Sequence, residues 1–142
     1  MPGIIVATDG SPSADRAVDA AANLAKVIGA GLKILTIGGN MSGEELRQLA
    51  TAEGDLSREL ERAANTILDR ARERALHEGL SEVKLQSGWG DPAETIIEVV
   101  QRENADLLVV GRRGHGRLSG LLLGSISQKL ASLAPCKVMV VP

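Results

Sequence analysis

The sequence predicts an α/β domain in which helices cover both faces of a five-stranded parallel sheet, a doubly wound, Rossmann-like arrangement. Five short apolar runs rich in β-branched residues alternate with helical patterns along the chain, and such alternation is typical of a mostly parallel sheet. Most of the runs are continuously apolar, which is the pattern of strands buried on both faces. A length of 142 residues fits one domain spanning residues 1–142.

The strands are predicted at residues 3–8, 32–37, 83–86, 106–110 and 137–141. Between the first two, apolar residues from Ala14 to Ile28 recur at helical spacing, and Gly29 is the residue type that ends a helix. The segment 44–77 is long for one helix, and we expect Gly54 to bend or break it.

Three further helix starts are indicated by a capping residue followed three positions later by Glu or Gln. The capping residues are Ser42, Asp91 and Ser125. At the second start, a proline also occupies the first helical position, where its missing N–H costs nothing. We therefore expect Ser125 to be the N-cap of the last helix.

The composition excludes several classes of function. A net charge of −2 argues against nucleic acid as the main partner. No apolar stretch approaches the roughly 20 residues that span a bilayer, so we expect no membrane partner. One cysteine cannot form an internal disulfide, which predicts a cytoplasmic protein. With one Trp and no Phe or Tyr, the core must be aliphatic.

Two loops are expected to meet where the strand order reverses, because ligands of open parallel sheets bind there, beyond the carboxyl ends of the strands. The first strand ends at Thr8, Asp9, Gly10 and Ser11. The fourth leads into a segment from Gly111 to Ser125 that contains five glycines and three arginines. Glycines let main-chain N–H groups approach phosphate oxygens, and the following helix start adds further donors. The segment thus predicts a phosphate-binding loop; a flexible surface loop with solvated arginines is the alternative.

The spacing within this loop identifies its type. A Walker A loop requires Lys before Ser125, where Gly124 stands, and the dinucleotide pattern G-x-G-x-x-G is missed by one residue. The spacing that fits is G-x2-G-x9-G-S, through Gly111, Gly114, Gly124 and Ser125. Together with the opening residues 5–11 and the closing residues 134–141, this loop resembles the ATP-binding branch of the universal stress protein family along the whole chain.

The resemblance implies a sheet of order 3-2-1-4-5, so that the Asp9 and Gly111 loops flank one crevice. It implies that Asp9 faces the ribose or adenine of ATP, held with Mg²⁺, and that the adenine slot is lined by Ala7, Thr8, Ile37 and Val110. Ribose and phosphates would be held by Gly111, Gly114, Gly124, Ser125 and Ile126, with Arg113 among the nucleotide-binding residues. The family usually has a small hydroxyl residue at the position of Arg112. We expect Gly124 to take a positive φ.

Several residues have a second interpretation. Asp9 is a common turn former, and Ser125 can cap its helix with or without a bound phosphate. His115 is either a general base or a solvated loop residue. Trp89 either anchors a ligand or partner or covers the rim of the sheet. Cys136 has the sequence context of a small core residue rather than of a nucleophile.

Three functions are compatible with the sequence. The first is a nucleotide-dependent regulatory or stress-response module that binds ATP. The second is a slow ATPase or a phosphoryl or adenylyl transferase, which normally needs metal-holding carboxylates; residues 111–125 contain none. The third is a dimeric scaffold that binds no nucleotide. A homodimer is expected because the last strand, from Lys137 to Val141, would lie unprotected at a sheet edge, and the resemblance implies the same contact.

Overall fold

The computed structural model describes residues 3–38, 55–113 and 124–142. Its five strands form one parallel sheet in the order β3-β2-β1-β4-β5. The predicted fold class and strand order are confirmed. In chain order the elements are β1 Gly3–Ala7, α1 Pro12–Ile28, β2 Gly31–Gly38, α2 Asp55–His77, β3 Lys84–Trp89, α3 Pro92–Glu103, β4 Leu107–Gly111, α4 Ser125–Leu133 and β5 Lys137–Val141.

The third strand differs from its prediction at residues 83–86. β3 continues to Trp89, because its main chain pairs with β2 as far as the Gly38–Trp89 register. Ser87 is polar and Gly88 is small, so the apolar run in the sequence ends before the strand does. The described part of the long second helix is α2, whereas Ser42 and Gly54 lie outside the described residues.

The core is aliphatic and lies in two layers, one on each face of the sheet. Alternate strand residues point to opposite faces, so Ile4 and Val6 pack under α1 and α2 while Ile5 packs under α3 and α4. Fully buried alanines on α1, such as Ala17 and Ala21, let this helix lie close to the sheet. These layers hold the carboxyl ends of β1 and β4 side by side.

The helix starts explain how the chain leaves that edge. Asp91 caps α3 by accepting a hydrogen bond from the Glu94 N–H at 2.9 Å, as predicted. The N-cap of α4 is Gly124, and Ser125 is its first helical residue, so the prediction of Ser125 as the cap is wrong by one position. The reason is that the Gly124 N–H donates to the Arg112 carbonyl at 2.8 Å, which sets the entry of the chain into α4.

The backbone conformation of Gly124 also differs from the prediction of a positive φ. Its φ of −68° and ψ of 162° are extended, a conformation open to any residue. Glycine is therefore not needed at this position for a left-handed turn. Any requirement for glycine at this position would therefore concern the space around it rather than its backbone conformation.

Candidate functional site

The predicted crevice would lie between the loops that follow β1 and β4, which are adjacent parallel strands with Val6 opposite Val109. After β1 the chain turns into α1, and after β4 it enters the glycine-rich segment. Both turns lie at the carboxyl edge of the sheet, where the strand order reverses. This is the placement expected for a ligand site in an open parallel sheet.

The β1–α1 turn is held by its own side chains. Asp9 Oδ1 accepts a hydrogen bond from the Ser11 N–H at 2.9 Å, and Thr8 Oγ1 accepts one from the Gly10 N–H at 3.1 Å. Gly10 has a φ of 79°, the left-handed conformation that favours glycine. Ser11 then caps α1 by accepting from the Ala14 N–H. Asp9 is thus a turn former, and a carboxylate has capacity for further donors.

The four residues predicted for the adenine slot have two kinds of environment. Ala7, Ile37 and Val110 pack against the core layer under α3 and α4, so the structure brings these three together. Thr8 is buried and hydrogen-bonded: its N–H donates to the Leu35 carbonyl at 2.9 Å, and its carbonyl accepts from Thr36 Oγ1 at 2.7 Å. The contacts of Thr8 therefore hold the turn that presents Asp9.

Gly111 is required by the packing of α1. A Cβ at this position would lie 2.7 Å from Ser13 Oγ and 2.8 Å from the Ala14 nitrogen, distances that real side chains do not tolerate. The absent side chain lets the end of β4 pass directly beside the N-terminus of α1. This contact, rather than a left-handed turn, explains the first glycine of the spacing motif.

The two described ends of the glycine-rich loop are tied together. Arg112 donates its N–H to the Val141 carbonyl at 2.6 Å and accepts from the Gly124 N–H at 2.8 Å. Buried Ser127 on α4 donates its hydroxyl hydrogen toward the Gly111 carbonyl at 2.7 Å, with the Arg112 carbonyl 3.3 Å away. The loop therefore leaves β4 and enters α4 at one point. Gly114, His115 and Arg117 lie outside the described residues.

Ser13 and Ser127 belong to this framework although the sequence pattern does not mark them. Ser13 Oγ donates to the Val141 carbonyl at 3.0 Å and accepts weakly from the Arg113 N–H at 3.4 Å. Ser127 stands two positions after the G-S end of the loop motif, and this position is the one sequence signal that could have pointed to it. Together these hydroxyls join α1, β4, β5 and α4 at the carboxyl edge of the sheet.

The first turn of α4 is accessible and suited to an anion. Ser125 and Ile126 are exposed, and this turn carries no acidic residue. The N-terminus of a helix offers unsatisfied N–H donors and the positive end of its dipole. Gly124 at the N-cap adds no side chain of its own at this helix start.

Trp89 covers the end of β2. A Cβ on Gly38 would overlap the indole ring, and 38% of Trp89 remains exposed. The contact with Gly38 supports the interpretation of Trp89 as a cover for the rim of the sheet. Trp89 and Ile37 lie on opposite faces, because Ile37 is paired in register with Gly88 and Trp89 with Gly38.

Two further properties concern reactive groups. Burial raises the pKa of the Cys136 thiol, which lowers its thiolate fraction at neutral pH and agrees with a packing role. Among residues 3–38, 55–113 and 124–142, no group of three or more His, Cys, Asp or Glu side chains is placed to hold a metal ion. No helix in the same ranges is long and apolar enough to cross a membrane.

Known proteins similar to this chain match it along nearly its whole length. The sequence model of the Universal stress protein family matches residues 2–142. Universal stress protein YxiE of Bacillus subtilis is 31% identical over 148 residues, covering 97% of each chain. A universal stress protein of Mycobacterium tuberculosis is 34% identical over 140 residues, covering 97% of this chain and 94% of its own.

One similar crystal structure is described as a universal stress protein in complex with cAMP. It is 31% identical to this chain, superposes with a TM-score of 0.78, and the similarity covers 99% of this chain and 97% of the other.

Proposed function

The chain belongs to the universal stress protein family, and on that premise we propose that it binds an adenine nucleotide, ATP with Mg²⁺, in the crevice between the Asp9 turn and the loop after β4. The observation that carries the proposal is the hydrogen bond between Arg112 and Gly124, 2.8 Å long. It closes the glycine-rich loop so that the loop ends at the accessible N-terminus of α4. A glycine-rich loop that ends at a helix start is suited to bind an anion, which supports the proposal.

The proposed contacts divide by chemistry. Ala7, Ile37 and Val110 form the apolar floor for adenine, and Thr8 positions the turn from which Asp9 accepts ribose hydroxyls. The phosphates bind main-chain N–H groups and positive charge, supplied by Gly111, Arg113, Gly114, Gly124, Ser125 and Ile126. An adenine base needs apolar contact on its faces and few polar groups at its edges, which this aliphatic floor provides.

The similar structure with cAMP supports the choice of base, since cAMP is an adenine nucleotide and that chain is 31% identical to this one. The choice of ATP rests on the G-x2-G-x9-G-S spacing, which resembles that of the ATP-binding branch of the family. Occupancy by ATP would change the surface of the loop and of α4. The protein would therefore act as a cytoplasmic, nucleotide-dependent regulatory module of the stress response.

Calorimetry tests the nucleotide. We expect ATP to bind with a Kd of roughly micromolar strength, about 8 kcal/mol of binding free energy, and GTP to bind at least about tenfold more weakly. Titrations with ADP, AMP and cAMP, each with and without Mg²⁺, measure how much each phosphate contributes to the affinity. Absence of heat with every adenine nucleotide in the presence of Mg²⁺ would show the proposal to be wrong.

A homodimer through β5 is the second part of the proposal. β5 pairs with β4 on one side, and no other described strand pairs with its outer edge. Met139 on this strand is 36% exposed, whereas Val141 packs against the core layer under α1. Pairing of β5 with its own copy about a two-fold axis would cover the edge in both subunits.

Light scattering tests the dimer with one substitution. Met139→Lys adds a charge to the proposed contact without disturbing the core, and we expect a folded monomer at micromolar concentration. Val27→Lys, at a side chain that is 74% exposed on α1, is the matched control and should stay dimeric. A wild-type protein that is already monomeric, or a dimeric Met139→Lys variant, would contradict dimerisation through β5.

A further inference from the structure

A second cleft lies beside the N-terminus of α1. It has a volume of about 250 Å³ and is lined by the first residues of α1, by Arg16, Arg112 and Arg113, and by Pro142. None of the described residues that line it is Asp or Glu. Three arginines thus line one cleft, and none of the described side chains in its wall is acidic.

The nearest acid on α1 does not neutralise this charge. Asp15, in the first helical turn, pairs with Arg70 of α2 and lies 4.0 Å from an amino group of Arg74. Its carboxylate is therefore engaged on the side of α1 that packs against α2. The positive end of the α1 dipole adds to the arginine charges at the cleft.

Arg112 enters the cleft from a fixed main chain. Its N–H is bound by Val141 and its carbonyl by Gly124, so the base of its side chain is held on both sides. Its Nε is buried and has no hydrogen-bond partner within residues 3–38, 55–113 and 124–142. A buried donor without a partner reduces stability, and a bound anion would supply the missing acceptor.

Arg16 lines the same cleft from α1. Its Nε donates to the main-chain oxygen of Pro142 at 2.6 Å, which orients the guanidinium and uses one of its five N–H donors. Guanidinium groups bind phosphate oxygens through paired N–H donors. Arg16 on α1 and Arg112 after β4 can therefore bind one phosphate together.

We propose that this arginine cleft binds a phosphate group that the nucleotide crevice does not hold. The phosphate comes either from the terminal position of a nucleotide bound in the crevice, which rests on the proposed function, or from free phosphate or a phosphate ester, which does not. Arg112 and Arg113 follow β4 directly and begin the glycine-rich loop, so the cleft lies at the start of that loop.

The first experiment measures inorganic phosphate binding to nucleotide-free protein by calorimetry. The test variants are Arg16→Gln, Arg112→Ser and the double variant. The control for loss of charge is Arg102→Gln, at an exposed position on α3. We expect the double variant to bind phosphate about tenfold more weakly or worse, as for loss of charged hydrogen bonds. The control should stay within about twofold of the wild type, since distant exposed charges are screened by salt. Because Arg16 is exposed, Arg16→Gln tests the cleft even where Arg112→Ser alters folding.

The second experiment separates the two sources of phosphate. If the terminal phosphate of the nucleotide occupies the cleft, the double variant loses ATP affinity but keeps AMP affinity, and ATP blocks binding of inorganic phosphate. If free phosphate is the occupant, ATP and AMP affinities are unchanged, and phosphate still binds to ATP-saturated protein. Either pattern supports the cleft as a phosphate site.

The proposal is overturned if the double variant matches the Arg102→Gln control both in phosphate affinity and in the ratio of ATP to AMP affinity. A different result separates it from the proposed function. If no adenine nucleotide binds while phosphate binding still depends on Arg16 and Arg112, the nucleotide proposal is wrong and the arginine cleft stands.

Discussion

The β1–α1 turn and the β4–α4 loop lie at the same edge of the sheet, but they are held in different ways. Asp9, Thr8 and Ser11 hold the first turn through hydrogen bonds to residues two or three positions away. The second is held by distant partners, since Arg112 binds Val141 and Gly124, and Ser127 binds Gly111. The first turn therefore depends mainly on local bonds, together with the pairing of the Thr8 main chain with β2. The described ends of the second come together only when α1, β5 and α4 are all in place.

The largest effect should come from filling the space where the two regions meet. Gly111→Val places a Cβ within 2.8 Å of the α1 main chain, which cannot move without disturbing the cap. We expect a loss of about 2–3 kcal/mol in the free energy of unfolding, as for an overpacked core, measured by urea denaturation.

Gly31→Ala provides the control for Gly111→Val, because a Cβ at Gly31 would meet nothing within 4 Å. Its stability should remain within about 0.5 kcal/mol of the wild type, as for a surface substitution. Equal stabilities of the two variants would show that α1 tolerates the added side chain.

Gly124→Val separates folding from binding at the end of the loop. The extended backbone of Gly124 accepts valine without strain, so we expect a cost of about 1 kcal/mol from the poorer N-cap. Nucleotide affinity should fall by more than about tenfold, since the side chain would stand where phosphates approach the α4 N-terminus. Calorimetry and urea denaturation of the same sample give both values. Unchanged affinity in the folded variant would exclude this helix start as the phosphate site.

Asp9→Asn tests whether the local turn also contacts ligand. Asparagine keeps an oxygen that can accept from the Ser11 N–H, so the turn and the stability should be preserved. Loss of the charge should weaken nucleotide binding about tenfold, the value of one hydrogen bond to a charged group. Wild-type affinity in this variant would mean that Asp9 only forms the turn. Thr66→Ala, at an exposed hydroxyl on α2, is the control.

The smallest effect should come from two serines on one helix. Ser127→Ala removes a buried hydroxyl that donates to Gly111, and we expect a loss of about 1 kcal/mol in stability. Ser125→Ala changes an exposed hydroxyl at the first helical position and should leave stability unchanged while weakening nucleotide binding. Thermal unfolding with and without ATP measures both. Equal losses of stability would contradict the distinction between anchor and ligand contact.

Most of the fold could be predicted because the strands are apolar on both faces and the helix starts are marked by capping residues. β3 could not be bounded, because its last residues are polar or small and become strand only by pairing with β2. Asp9 and Ser11 could be assigned to a turn from local chemistry alone. Ser13 and Ser127 could not be assigned to the site, because a hydroxyl in a helix has no distinctive sequence pattern until its distant partner is known.

The sequence by itself determined the α/β alternation, the aliphatic core and the spacing of the glycine-rich loop, since each depends on residue type and period along the chain. Only the tertiary structure decided that Gly111 is glycine because of α1, that Gly124 rather than Ser125 caps α4, and that Arg16 meets Arg112 in one cleft. The physical reason is the same in each case. Contacts between α1, β4, β5 and α4 join residues far apart in the chain, and no local pattern records which main-chain atoms will lie within 3 Å of one another.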